Sequence, residues 1–301
     1  MKRLILAAAL LAAGAVGLFA QPTTAKPAQA PSVPRPKSPD ELKALQAWQA
    51  ALQANDADAI IKAVDDIVTR FPNTDFKSMV LETEAEAYKQ KADWAKAQIY
   101  ADMALTANPQ SFQAALMLAD IPAKHTGEHD LDKEESLTKA EGYAHKAIEL
   151  VTAQAKPPQF SDEQWSDYQK QIVGQAQDDL GLISGNRKNW DSAIAAFKTA
   201  IAATAEPAYK VHLANALMQN GKLDDALGVC DQILTEPKLH PQIKAASQDI
   251  EVQIAAFLQA QGKNDAAIAI LDKVLADSGL PSRVKANATR IRDTATKAKG
   301  Q

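Results

Sequence analysis

Apolar positions in this chain recur every three to four residues and hardly ever every second one. The run Lys96-Ala97-Gln98-Ile99-Tyr100-Ala101-Asp102-Met103-Ala104-Leu105 aligns without a gap on Lys139-Ala140-Glu141-Gly142-Tyr143-Ala144-His145-Lys146-Ala147-Ile148, with small residues spaced by four and then three in each. That spacing lines them up on one face of a helix. No stretch shows the sustained alternation of a strand. The pattern predicts an all-α protein, with a first helix opening at Ser38-Pro39-Asp40, where a capping serine precedes proline.

The same pattern repeats along the chain as pairs of helices. The strongest copies are Leu180-Gly181 followed by Ala193, Phe197 and Ala200; Ala85 and Tyr88 followed by Ala97, Ala101, Ala104 and Pro109; Leu213-Ala214, Leu217 and Gly221 followed by Ala226, Cys230 and Ile233; and Ile254-Ala255, Leu258 and Gly262 followed by Ala267, Leu271 and Val274. Weaker copies are Trp48 and Ala51 followed by Ile60, Val64, Ile67 and Pro72, and Leu118-Ala119 followed by Ala140, Ala144 and Ala147. From helix A to helix B the gap is twelve residues in five of six copies: Trp48 to Ile60, Ala85 to Ala97, Gly181 to Ala193, Ala214 to Ala226 and Ala255 to Ala267. The sixth, Ala119 to Ala140, carries nine more.

With its small residues, its A-x-x-x-F-x-x-A second helix and its closing proline, this repeat resembles the tetratricopeptide repeat family. The resemblance covers residues 41–281 and implies a right-handed α-α solenoid of antiparallel helix pairs. A lone pair cannot bury its apolar face, whereas stacked pairs share one core, and alanine or glycine at the crossings lets the helices approach closely. The expected organisation is a repeat domain over 40–281, interrupted by insertions near 121–136 and 156–173. A C-terminal capping helix over 282–301 places Val284, Ala288, Ile291 and Ala295 on one face and Arg283, Lys285, Arg290, Arg292 and Lys297 elsewhere.

The first forty residues have a different character. Met1-Lys2-Arg3 leads into an uncharged run from Leu4 to Ala20, read as a secretory signal peptide cleaved after Ala20. An uncleaved membrane anchor formed by residues 4–20 is the alternative. Residues 21–39 hold six of the fifteen prolines and read as an extended linker. The expected location is therefore the periplasm or the exterior, or the inner membrane if the leader stays on. The formal charge of −4 becomes −6 without Lys2 and Arg3, and no basic stripe runs along the body, so nucleic acid is not an expected partner.

Several motifs tempt a chemical reading. His125, Glu128 and His129 spell the H-x-x-E-H of inverted zincin metalloproteases, which requires both histidines on one helical face. Gly127 sits inside that turn, and Pro122 to Asp130 offers little apolar face to dock, so a loop inside the nine-residue excess is expected. A surface metal site from His125, His129 and nearby carboxylates is the weaker alternative. Asp130, Asp132, Glu134 and Glu141 fall at EF-hand spacing, but Glu135 stands where the loop demands glycine. Asp132 with Glu135 reads instead as a capping box. The lone Cys230 faces the core as a buried thiol. No catalytic grouping and no cofactor is expected.

Trp94 and Trp190 sit at matching places before helix B and read as packing residues. Trp165, Tyr168 and Ile172 form a stripe on a longer helix expected to begin at Ser161, with Gln164 completing a capping box, and to run to Ser184. The stripe either folds back on the preceding repeat or forms a second interface. Tetratricopeptide arrays bind partners along their A helices. Carried over by spacing, that face holds Glu82, Glu86, Leu116, Asp120, Asp178, Leu182, Val211, Asn215, Met218 and Val252. One binding mode of the family grips a carboxylate with lysine and arginine beside asparagine. Here Val211 precedes Asn215 and the face is acidic, so a protein or peptide partner with a basic or apolar segment is expected.

Overall fold

A computed structural model describes residues 34–299, and the expected leader and most of the linker lie outside the described residues. Thirteen α-helices and no strand are found among the described residues. Six pairs account for twelve of them: α1 (Pro39–Ala54) with α2 (Ala57–Arg70), α3 (Lys77–Gln90) with α4 (Trp94–Ala107), α5 (Phe112–His125) with α6 (Lys133–Ala153), α7 (Asp162–Asn186) with α8 (Trp190–Ala203), α9 (Pro207–Gln219) with α10 (Leu223–Leu234), and α11 (Pro241–Ala260) with α12 (Asn264–Leu275). Helix α13 (Ser282–Lys299) follows.

The start signals act as their chemistry requires. Ser38 accepts the Glu41 amide at 3.1 Å with Pro39 in the first turn, Asp56 accepts the Asp58 and Ala59 amides, and Asp93 accepts that of Lys96. At α7 the box is reciprocal: the Gln164 amide donates to Ser161 Oγ at 3.1 Å, and the Ser161 amide donates to Gln164 Oε1 at 2.9 Å. Such caps satisfy amide groups that have no partner within the first turn. At α6, Glu135 instead takes the Lys139 ammonium at 2.6 Å.

The turns explain the constant gap of twelve. After α1, α3, α7, α9 and α11 one residue takes a left-handed conformation: Asn55 (φ 51°), Ala92 (φ 56°), Lys188 (φ 60°), Gly221 (φ 74°) and Gly262 (φ 75°). In each, that residue's amide bonds three residues back and the next amide bonds five back, as in Ala92 to Lys89 (3.0 Å) with Asp93 to Tyr88 (2.9 Å). Lys188 to Gly185 with Asn189 to Ser184, and Gly262 to Gln259 with Lys263 to Leu258, follow the same rule. This Schellman closure uses a fixed number of residues, so the second helix starts at a fixed offset. Glycine meets the backbone demand freely, whereas Ala92 and Lys188 hold it at a cost of about 1 kcal/mol each.

By their contacts the described residues fall into two compact units, the first made of residues 34–121 with Glu149–Ser166, the second of Pro122–Ile148 with residues 167–299. In the first, α1 packs on α2, α2 on α3 and α3 on α4 around Leu45, Trp48, Ile60, Val64, Ile67 and Leu81, none more than 2% exposed. The Trp48 indole donates to Thr83 Oγ1 at 2.9 Å, giving its buried polar atom a partner. Helix α5 up to Ile121 is closed on nearly every side, with Ala114, Ala115, Leu118 and Ala119 at 2% exposure or less. In the second unit, α8 through α13 each pack on the next, and the A-type helices α9 and α11, then α11 and α13, also touch. Gly181 lets α7 and α8 close up, since a Cβ there would lie 2.3 Å from the Phe197 ring. Val284, Ala288, Ile291 and Ala295 of α13 are buried, while Arg292 and Lys299 pair with Asp272 and Asp265 of α12.

One element departs from the sequence reading. The sequence pattern predicts a loop at Pro122, but α5 runs through it to His125, and the loop begins at Thr126. Burial of Pro122 and Ala123 supports this last turn, and the Asn186 side chain donates to the Ala123 carbonyl at 2.9 Å, satisfying one of the acceptors that a helix end leaves open.

Candidate functional site

The transferred partner-binding face is only partly a surface. In the first unit Glu82 and Glu86 are half-buried on α3, while Leu116 (6% exposed) and Asp120 (5%) are buried on α5. In the second, Asp178 (2%) and Val252 (0%) are buried, Leu182, Val211 and Met218 are half-buried, and Asn215 is exposed. Leu116, Asp120, Asp178 and Val252 therefore cannot line an open groove. The cause at α5 is that between Phe112 and Ile121 only Gln113 and Asp120 are polar, so most of the helix circumference is apolar and settles in an interior. At Val252 it is inclusion in the core that α11 shares with its neighbours.

What stays open is the face of α7 and α9. Leu182, Val211 and Met218 rest on the core cluster of the second unit with part of each side chain outward, and Asn215 stands exposed on the same helix as the latter two. Beside them, half-exposed His212 sits 2.7 Å from Asp178 through Nδ1 and 5.6 Å from the Phe197 ring. An apolar margin around one exposed carboxamide suits a protein segment better than a small polar molecule.

Part of the expected acidity of the face is compensated from within: Lys89 reaches Asp120 at 2.9 Å and Glu86 at 3.5 Å. Glu82 differs: Ser111 Oγ donates to its Oε1 at 2.6 Å, and Ser78 Oγ lies 3.0 Å from the same atom and 2.9 Å from the Ala104 carbonyl. Burial pushes the Glu82 carboxyl upward, and the two serine hydroxyls pull it part of the way back.

The remaining motifs take structural positions. His125 ends α5 while Glu128 and His129 lie in the loop after it, so the three do not share a helical face. Glu128 binds the Lys188 ammonium at 2.7 Å, which holds its carboxyl below the usual range. Asp130 closes the loop, its Oδ2 accepting the Gly127 amide at 2.6 Å. No group of three or more His, Cys, Asp or Glu side chains among the described residues is arranged to hold a metal ion. Cys230 is fully buried, and burial raises its thiol to about 11. Trp94 and Trp190 are the first residues of α4 and α8 and pack on their cores.

On α7, Trp165 (6%) and Ile172 (8%) are buried and Tyr168 is half-buried. Phe160 packs edge-on against Trp165, with ring centroids 5.7 Å apart. Two features escaped the sequence. Lys273 binds both Asp231 and the buried Glu251, the latter at 2.8 Å, joining α10, α11 and α12. In the first unit, a polar cleft of about 470 Å³ has Glu82, Ser78 and Ser111 in its lining. A signal existed for it in the spacing of Ser78 and Glu82, four apart on one helix.

Comparison with known proteins agrees with this geometry. Residues 179–242 match the tetratricopeptide repeat family model. A type IV pilus biogenesis factor, PilW, superposes with a TM-score of 0.55 at 17% identity, covering 83% of this chain and 98% of its own. The assembly chaperone of RpL4, Acl4 (residues 1–338), gives 0.58 at 13% identity, covering 86% of this chain and 98% of its own. A thermophilic TPR protein from Thermus thermophilus, TTC0263, gives 0.50 at 15% identity, covering 70% of this chain and 98% of its own. No curated protein matches the sequence. The chain shares the all-α, paired-helix fold of tetratricopeptide repeat proteins, and its match to the family model lies within residues 179–242.

Proposed function

We propose that this protein is a non-enzymatic interaction scaffold, exported to the cell envelope, that holds a basic or apolar segment of a protein partner against the α7–α9 face. The observation that carries the reading is the half-exposed apolar margin of Leu182, Val211 and Met218 around exposed Asn215, inside the segment that matches the repeat family. Burial of those three side chains by a partner would release water from apolar surface at roughly 25 cal/mol per Å². The fold likeness to a pilus biogenesis factor and an assembly chaperone supports a scaffold role. An envelope assembly subunit anchored by residues 4–20 is the second reading, favoured by the uncharged run from Leu4 to Ala20.

A photoreactive phenylalanine placed at Asn215 tests the scaffold. Cross-linking in an envelope extract is expected to trap one protein species from this position and not from Lys198, exposed on α8. Equal trapping from both positions, or none from Asn215, overturns the assignment. Mass spectrometry of the mature N-terminus separates the two envelope readings, since a start at Gln21 removes the anchor.

A further inference from the structure

The cleft in the first unit has chemistry of its own. The first turn of α3, the end of α4 and the start of α5 supply most of its wall, with Pro34 and Gln154 also in the lining. Asn108, Gln110, Gln113 and Gln154 place carboxamides around it, and no aromatic residue lines it among the described residues. Two carboxylates face it, Asp75 and Glu82. Asp75 is neutralised by Lys37 at 2.6 Å. Lys77, the only cation in the described lining, contacts the Pro72 carbonyl at 3.5 Å.

Glu82 is left with neutral partners. Both serine hydroxyls approach Oε1, and no ammonium or guanidinium among the described residues pairs with the carboxylate, so Oε2 carries the uncompensated share of the charge. The donor at 2.6 Å comes from Ser111, itself 3% exposed and fixed as the cap of α5 by accepting the Ala114 amide at 3.0 Å. A carboxylate held in one orientation by a buried, anchored donor is preorganised for a cation, because little side-chain freedom remains to be lost on binding.

We propose that this cleft is a binding site for a primary ammonium or guanidinium group, with Glu82 Oε2 as its counter-ion and the carboxamides as acceptors for the remaining N–H donors. An anion meets the wrong charge. A purely apolar group strands the carboxamides and the carboxylate without partners. A quaternary ammonium finds no aromatic face to stack on. The site goes beyond the α7–α9 surface and rests on the scaffold reading only for the source of the cation, which that reading supplies as a lysine or arginine side chain of a bound protein.

Titration calorimetry on the intact protein tests it with three probes: the acetylated and amidated pentapeptide Ala-Ala-Lys-Ala-Ala, the same peptide with norleucine for lysine, and 1,5-diaminopentane. The lysine peptide is expected to bind about tenfold or more tightly than the norleucine peptide, the usual weight of a charge-assisted hydrogen bond. Glu82→Gln is expected to abolish that preference, while Glu86→Gln, at a carboxylate already held by Lys89, leaves it intact. Diaminopentane binding as tightly as the peptide assigns the site to a free amine, and weaker binding assigns it to a protein side chain. Equal binding of the lysine and norleucine peptides to the wild-type protein overturns the proposal without recourse to any variant. Failure here leaves the cross-link at Asn215 unaffected, so the two ideas fail separately.

Discussion

Gly181→Ala lowers the melting temperature by several degrees, whereas Gly142→Ala and Gly228→Ala raise it. All three glycines lie inside helices, where alanine ordinarily gains about 1 kcal/mol through intrinsic propensity. At Gly142 and Gly228 an added methyl meets no atom within 4 Å, so that gain is realised. At Gly181 it would sit 2.3, 2.5 and 2.8 Å from three atoms of the Phe197 ring. Phe197 is 3% exposed and enclosed by the core of the second unit, so the ring cannot turn aside without moving its neighbours. Overpacking of this kind costs roughly 1–3 kcal/mol, and the short contacts place it at the upper end, for a net loss of about 2 kcal/mol. Thermal unfolding followed by circular dichroism reads all three variants. A Gly181→Ala protein as stable as the wild type contradicts the close α7–α8 crossing.

The second large effect is on pH. Glu84 is 1% exposed between α2 and α4, its Oε1 has no hydrogen-bond partner, and burial together with Asp65 pushes its carboxyl up to about 8. The Tyr100 hydroxyl opposes the shift. Tyr100 is stacked on Tyr88 with centroids 5.2 Å apart, and Lys96 lies over the Tyr88 ring at 5.0 Å. Between an ordinary carboxyl value near 4.5 and about 8, the folded protein keeps a proton that the unfolded chain releases. Stability therefore falls as pH rises through that window and levels off above it. Allowing for an interior that screens more than dry protein, the loss attributable to this group is about 2 kcal/mol. Denaturant unfolding at pH 5 and pH 8 should show Glu84→Gln close to the wild type at the lower pH and more stable than it at the higher. Parallel stability curves for the two proteins would falsify the assignment.

The helix pairs were legible in the sequence because their spacing is set by a local device. Five Schellman turns consume the same number of residues, so a twelve-residue offset survives even where Ala92 and Lys188 replace the favoured glycine. The one copy without that turn, α5 with α6, is also where the reading slipped, ending a helix at Pro122 that continues to His125. Proline weakens a helix locally, but the burial of Ile121 and Ala123 and the Asn186 cap are long-range facts that local pattern cannot report. The partner face was less legible for a related reason. Helical periodicity says which residues share a face and not whether another element covers it, so Leu116 and Val252 were placed on the right helices and on surfaces that do not exist. Net acidity misleads in the same way at Asp120, since Lys89 reaches it from another helix. The capping box of Ser161 and Gln164 was readable because both partners lie within four residues. The Glu82 cleft needs Ser111 on a different helix and is visible only in three dimensions.

The central claim is that the α7–α9 face binds protein through the apolar margin around Asn215. Its most direct measurement is the affinity of the species trapped at that position for Val211→Asp and Met218→Asp, set beside Gly142→Ala as a folded control. A charge placed in an apolar contact that closes on binding should weaken it by about tenfold or more, with the control unchanged. Wild-type affinity in both aspartate variants would contradict the account.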